Sequence, residues 1–468
     1  MSMSRIALIA LPVLWLAACA PAPQPPTDAQ RLDAGQAALR PLPLFDPGRP
    51  NPLPPMRANA EMAHDLLELG FRMESGREIP QFSRFEGPVQ VVARRVPNTQ
   101  VAADLNRLLA RFRNEAGIAI TLAPPGTTPE GNVITVDFVP RRVMQASVPT
   151  AACFVVPNVD GWEDFLANRR NPVIDWTRVV RRERVAVFAP SDTTNQEIRD
   201  CLHEEIAQAM GPLNDLFRLP DSVFNDDNFQ TTLTGFDMLM LRAWHAPELS
   251  PGMTRAQVAQ RLPGILNRLN PAGRRSASGP LAETSPREWI TAVEASLTGT
   301  SSLQRRRAGA ARALDIARSR GWNDPRMALS LMLTARLAPR GEGEFAMAAL
   351  LRAGEIYRRH PGGEVHAAHI DLQLAVQALA AGQYPIVLDL TARALPLARR
   401  TENAAFEATL SFMRAEALAA LGRVAEAERL RMDSRPAALY GFGSEAAVQA
   451  RLDEVAQLTG AAIRLAAR

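Results

Sequence analysis

In 468 residues the chain sets 53 basic side chains against 49 acidic ones, a net charge of +4, with 47% hydrophobic residues. Every basic residue is Arg and none is Lys, so the high isoelectric point reflects the missing Lys more than a basic surface, and nucleic acid is excluded as a leading partner. Beyond the N-terminus no stretch approaches the roughly 20 apolar residues of a spanning helix.

The first elements in chain order concern targeting. Arg5 gives a weak positive region, IALIALPVLWLAA an apolar stretch too short to span a bilayer comfortably, and Leu16-Ala17-Ala18-Cys19 has the form of a lipobox. This looks like a bacterial lipoprotein signal. The resemblance implies removal of residues 1–18, acylation of Cys19 (palmitate among the acyl groups), and a chain anchored to a membrane in the periplasm. Ala20 after the cysteine leans towards the outer membrane; a plain secretory signal with an incidental Cys is the alternative. Residues 19–57 include PAPQPP and RPLPLFDPGRPNPLPP and read as a Pro-rich tether, with a reach of up to about 100 Å.

From 58 the pattern changes. A short helix is expected over Glu61–Phe71, a strand over 87–96 (GPVQVVARRV), a helix over 101–116, and strands over Ile118–Leu122 and 132–139 (NVITVDFV). Asn158–Asp175, with Trp162 and the nearby Trp176, reads as an insertion near a cleft. RVAVFAP (184–190) gives a further strand before a helix that Thr193, Thr194 or Asn195 would cap. With Cys19 spent on lipid, Cys153 and Cys201 remain as an even pair in an oxidising compartment and read as one disulfide. It would close a loop of 49 residues, worth on the order of 4 kcal/mol; two unpaired core cysteines are the other reading.

Residues 203–215 read HEEIAQAMGPLND. If His203-Glu204 begins a His-Glu pair, the second His should fall at Ala207, and the register fails. One residue on, Glu204 takes the first ligand position, Glu205 the general base, Gln208 the second ligand, Gly211 the turn, and Asn214 or Asp215 the third ligand. Downstream, Ser222-Val223-Phe224-Asn225 fits a Ser-x-Met type turn with Phe224 for Met, and Leu233 to Pro247 a closing helix with Asp237 at its start and Trp244 and His245 near its end. The string resembles the metzincin pattern H-E-x-x-H-x-x-G-x-x-H/D, in which two His on one helical face bind zinc. Over roughly residues 80–255 the chain resembles an uncharacterised family of bacterial envelope proteins, a domain of unknown function grouped with metzincin-like (peptidase MA type) peptidases that has mostly lost the histidines.

That resemblance implies a pseudopeptidase. Amide carbonyls are weak zinc donors beside imidazole, and without zinc, water keeps a pKa near its bulk value, so Glu205 lacks an activated nucleophile. No cofactor is expected, zinc only if the domain hydrolyses. An oxygen-rich site from Glu204, Glu205 and Asp215 would suit calcium or magnesium better. His203, about 100° from Glu204 around the helix, reads as a satisfied surface or interface histidine.

A break is expected over Asn270–Arg287, rich in Pro, Gly and Ser. Beyond it the chain is Ala- and Leu-rich, and LAAGQY (379–384), LAALGRV (418–424) and SRGWNDPRMAL (319–329) place glycines at helix–helix turns. Gly382 and Gly422 lie 40 residues apart, and small residues such as Ala415, Ala419 and Ala427 resemble the tetratricopeptide pattern, with a generic bundle as the alternative. RRR at 305–307 and the pair His366 and His369 read as solvated positions. The expected organisation is a signal peptide (1–18), a tether (19–57), an α+β metzincin-like domain (58–255), a helical linker (256–300) and tetratricopeptide-like helical repeats (301–468). The leading function is a binding or scaffolding lipoprotein that engages a protein or peptide through the repeats and the old substrate cleft. The alternatives are a periplasmic metal-dependent hydrolase of peptide or peptidoglycan using Glu205, and a purely structural envelope protein.

Overall fold

A computed structural model of the chain describes residues 44–466, apart from 49, 125, 278, 300 and 340, with side chains to residue 459. The expected signal peptide, Cys19 and the tether up to residue 43 lie outside the described residues. In chain order the first unit holds α1 (Asn59–Gly70), β1 (Arg84–Phe85), β2 (Val89–Arg94), α2 (Thr99–Glu115), β3 (Ile120–Leu122), β4 (Asn132–Val139), α3 (Arg141–Ser147), β5 (Phe154–Pro157), α4 (Trp162–Asn168), β6 (Arg181–Arg182), β7 (Arg184–Pro190), α5 (Asn195–Met210), α6 (Gly235–Trp244) and α7 (Arg255–Leu269).

Five of these strands form a mixed sheet in the order β3-β2-β4-β7-β5. β2, β3, β4 and β7 run parallel, and β5 alone is antiparallel, on the edge beside β7. The residues explain the order. β4 and β7 are near-continuous apolar runs, as strands covered on both faces require, and seven of the eight residues of β4 are buried. β2 alternates at its start, burying Val89 and Val91, as a strand nearer the edge does. The helix expected over 101–116 begins at Thr99, where the Asn98 side chain accepts from the Val101 amide at 3.0 Å and satisfies one of the orphan donors of the first turn.

From Arg287 every α or β element among the described residues is a helix: α8 (Arg287–Leu297), α9 (Leu303–Ser319), α10 (Pro325–Arg336), α11 (Gly343–Arg359), α12 (Glu364–Ala380), α13 (Tyr384–Arg400), α14 (Ala404–Ala420), α15 (Val424–Asp433), α16 (Arg435–Phe442) and α17 (Glu445–Ala466). Most neighbours in sequence pack against one another, from α8 on α9 to α14 on α15. Gly382 and Gly422 sit at the turns after α12 and α14 with φ of +71° and +79°, where a Cβ would be strained. Ala415 and Ala427 are fully buried between their helices, as close helix packing requires.

Three expectations change on this frame. The Pro-rich segment does not stay free to residue 57: Phe45 stacks on Tyr440 at 4.4 Å between ring centroids, its amide donates to Gln100 Oε1 at 2.7 Å, and Arg57 is buried. An extended segment satisfies its backbone as well on a protein surface as in water, so composition does not separate the two. The linker expected over 256–300 divides, because α7 buries Val258, Leu262, Ile265 and Leu266 in the core of the α/β unit while α8 buries Trp289 and Val293 in the helical one. His366 and His369 do not face solvent. His366 is 1% exposed and its Nε2 lies 2.7 Å from Asp227 Oδ2, while His369 stacks on Phe406 at 3.9 Å. Both lie in the seam between the units, which also holds Arg199 donating to the Glu402 carbonyl at 2.6 Å and Tyr440 donating to Asp104 at 2.8 Å.

Candidate functional site

The helix α5 carries the motif. Thr194 caps it by accepting from the Glu197 amide at 3.1 Å, and of its first turn Glu197 is acidic, as the dipole favours. At the other end Arg182, fully buried, donates to the carbonyls of Gln208 and Ala209 at 2.8 and 2.7 Å. Its guanidinium lies over the rings of Trp176 and Trp244, and burial pushes its pKa down to about 9. The helix stops at Gly211, where an added Cβ would lie 2.8 Å from Leu241 Cδ2. Glycine here lets α6 close against the motif.

Below the helix the turn at Ser222 is tied to α6. Asp237 accepts from Ser222 Oγ at 2.5 Å, from the Val223 amide at 3.2 Å and from the Thr234 amide at 2.8 Å. Phe224 is fully buried. Trp244 donates to the Ser83 carbonyl at 3.1 Å, and His245 Nε2 meets the Met210 carbonyl at 2.8 Å, so both close the unit and neither faces the motif acids. Burial holds the His245 pKa down at about 4.

Of the residues read as former metal ligands, Gln208 and Asp215 meet a common neighbour, Glu74. Glu204 and Gln208 are one turn apart on α5, but Glu204 groups with Glu205 and Cys153, while Asp215, after the Gly211 turn, groups with Glu74 and Asp226. Gln208 Nε2 donates to Glu74 Oε1 at 3.3 Å. One carboxylate oxygen each from Glu74, Asp215 and Asp226 lies within 4.8 Å of the others. Asn214 is not part of the set: its amide donates to the Glu68 carbonyl at 3.0 Å, which leaves Asp215 alone at the third position. His203 is not on the surface either. It is buried, its Nδ1 accepts from the Leu233 amide at 3.1 Å, and burial holds it well below the usual histidine range, so it is a neutral structural acceptor.

The cluster is short of donors. Asp215 is 8% exposed and Glu205 4%, and neither oxygen of Asp215 nor Oε2 of Glu205 meets a donor. Two carboxylates in contact, such as Asp215 and Glu74, can hydrogen-bond only by sharing a proton. Burial first, and then neighbouring carboxylates, push Glu204, Glu205 and Asp215 well above the usual range. Asp226 is raised to about 7 by burial and then by Glu74. Much of Glu74 is exposed, but its carboxyl end lies against these acids, and desolvation there raises it too. Glu204 and Glu205 also approach Cys153, whose sulfur is bonded to Cys201 with the Cα atoms 5.9 Å apart, so that thiolate is spent. The bridge fastens α5 to the segment leading into β5. Sequence reasoning missed Glu74, Asp226 and Arg182. Asp226 directly follows the SVFN turn, and that proximity was its signal.

A pH dependence follows from Asp226. Its folded pKa lies above the unfolded 3.8, so its contribution to stability is full below that value and is lost as pH rises through about 7. The shift corresponds to roughly 4 kcal/mol in full, and solvent reaches this residue, so metal-free protein is expected to lose about 1–2 kcal/mol between pH 5 and pH 8. Urea midpoints in chelator at the two pH values check this, and a midpoint that rises with pH would refute it.

The comparisons with known proteins bear on this unit. A family described as a protein of unknown function (DUF2927) matches residues 59–264, from the first residue of α1 into α7. No curated protein and no solved structure matches the chain.

Proposed function

We propose that the protein is a lipid-anchored periplasmic envelope protein that holds a protein or peptide partner, and that its α/β unit is a metzincin-like fold that has given up zinc hydrolysis. One observation carries the second half. Where the pattern would set imidazoles the chain offers Glu204 and Gln208, and the third position, Asp215, lies against Glu74, to which Gln208 also bonds. Zinc sites draw on imidazole, thiolate and carboxylate in a closed tetrahedral set, and an amide with crowded acids is a poor substitute. Without that ion, a water beside Glu205 has no means of reaching a pKa near 7.

The strand, helix, strand, strand order before α5, the antiparallel edge strand β5 beside it and the Ser222 turn held by Asp237 support the metzincin-like reading. The paired helices with glycine turns support the tetratricopeptide-like one, and stacked helical pairs offer an extended face for a partner. Addition of a peptide strand to β5 meets a competitor, because the Trp176 indole already donates to the Val155 carbonyl at 3.3 Å; this favours the helical face over the cleft. The one observation on the side of a hydrolase is the buried, unpartnered Oε2 of Glu205.

Two measurements on the full chain test the reading. The Cys19→Ser protein is expected in the soluble fraction of a lysate, and its retention in membranes overturns the anchor. Protein purified without chelator is expected to show no zinc-dependent cleavage of peptide or peptidoglycan; cleavage that Glu205→Gln abolishes overturns the holding role and restores the enzyme.

A further inference from the structure

The geometry points to a calcium site built from the carboxylates of Glu74, Asp215 and Asp226, beside the motif helix α5. This goes beyond the reading above and stands or falls without it, since a calcium site is compatible with any partner or with none.

Three observations carry it. The first is the span. Calcium is held by oxygen ligands at 2.3–2.6 Å, so two ligands on opposite sides of one ion lie up to about 5 Å apart. The three acidic oxygens lie within 4.8 Å of one another, the spacing of a single shared ion. The second is Asp215, more than nine-tenths buried, with neither oxygen meeting a donor. A buried carboxylate left so is costly unless something positive meets it, and no Arg side chain bonds to it among the described residues. The Arg nearest the cluster by bonding, Arg287, spends Nη1 on the Glu74 carbonyl at 2.8 Å and Nη2 on Glu294. The third is the donor type. Glu74 and Asp226 add two further carboxylates, so the set is all oxygen. Nothing soft competes, because Cys153 is in a disulfide and His203 is bonded to the Leu233 amide.

The choice of ion follows. All-oxygen donors suit calcium, magnesium or manganese rather than zinc or copper. Magnesium demands near-octahedral geometry at 2.0–2.1 Å and loses its waters reluctantly. Here one ligand is fixed in the interior and another, Glu74, comes from an exposed loop, an irregular and adjustable set that fits the looser demands of calcium. Net charge agrees: three carboxylates around a dication leave one negative charge.

Isothermal titration of the full-length protein with calcium chloride at pH 7.5, after chelator treatment, is the test. One calcium per chain is expected, with magnesium weaker. Asp215→Asn keeps the side-chain shape and is expected to weaken binding by at least the roughly 10–100-fold that loss of even an outer partner of a metal ligand brings. Should Asp215→Asn fail to fold by circular dichroism, Asp226→Asn, at a partly exposed position, replaces it with the same expectation. Calcium binding is also expected to raise the urea midpoint more at pH 8 than at pH 5, because protons compete for the same oxygens. No binding at millimolar calcium, binding unchanged in the folded variant, or one zinc held more tightly than calcium would each overturn the site.

Discussion

Arg218→Ala is expected to lower the unfolding free energy by about 3–5 kcal/mol, the usual cost of leaving a buried charge without its partner. Arg218 lies under the motif, after the Gly211 turn, and reaches into α1. Its Nη1 bonds to Asp65 and its Nη2 to Glu68 at 2.8 Å, with the three side chains 6%, 2% and 5% exposed. Arg57 takes the other oxygen of Asp65 and reaches Asp221 at 2.8 Å. The network thus ties the end of the Pro-rich segment, α1, the chain after the motif and the loop before the Ser222 turn into one knot. Deleting Arg218 strands Asp65 with one cation and Glu68 with Thr284 and His64. The exposed pair Arg352 and Glu355 is the control, since surface pairs contribute little: Arg352→Ala is expected to leave the urea midpoint unchanged. Equal midpoints for Arg218→Ala and the native protein would sink the argument.

Reduction of the Cys153–Cys201 bridge is expected to cost on the order of 4 kcal/mol, read as a drop in urea midpoint with dithiothreitol present throughout. The cost arises mainly in the unfolded chain, which regains the freedom of a loop spanning a sequence separation of 48. It should fall on the α/β unit, because the bridge joins α5 to the segment entering the edge strand β5. A Cys153→Ser, Cys201→Ser double variant should reproduce the reduced midpoint and ignore dithiothreitol. A reduced protein as stable as the oxidised one would show that the bridge carries no such load.

Of the carboxylate cluster, Asp215 was legible in the order of residues. Glu204 and Gln208 share a helical face at i and i+4 whatever the fold, and the glycine seven residues after Glu204 announces the turn that precedes Asp215. Glu74 carries no such mark. It comes from a loop between α1 and β1, 130 positions from Glu204, and only the packing of that loop against α5 brings it in. The choice between Asn214 and Asp215 was equally hidden, because neighbouring residues in a loop point wherever their hydrogen bonds take them, and Asn214 is taken by the Glu68 carbonyl. The histidines of α12 show the same limit from another side. Helical spacing says that His366 and His369 share a face, but not what meets it; a loop carrying Asp227 and Phe229 does. The sheet fared better, since apolar runs of strand length and alternation were read at nearly their final bounds, whereas the pairing order depends on contacts far apart in sequence.

The seating of Phe45 between Gln100 and Tyr440 bears on mechanics. The chain enters the folded body at a point shared by α2 of the first unit and α16 of the second. A pull arriving from upstream of Leu44 therefore meets a contact shared by both units before it reaches the core of either.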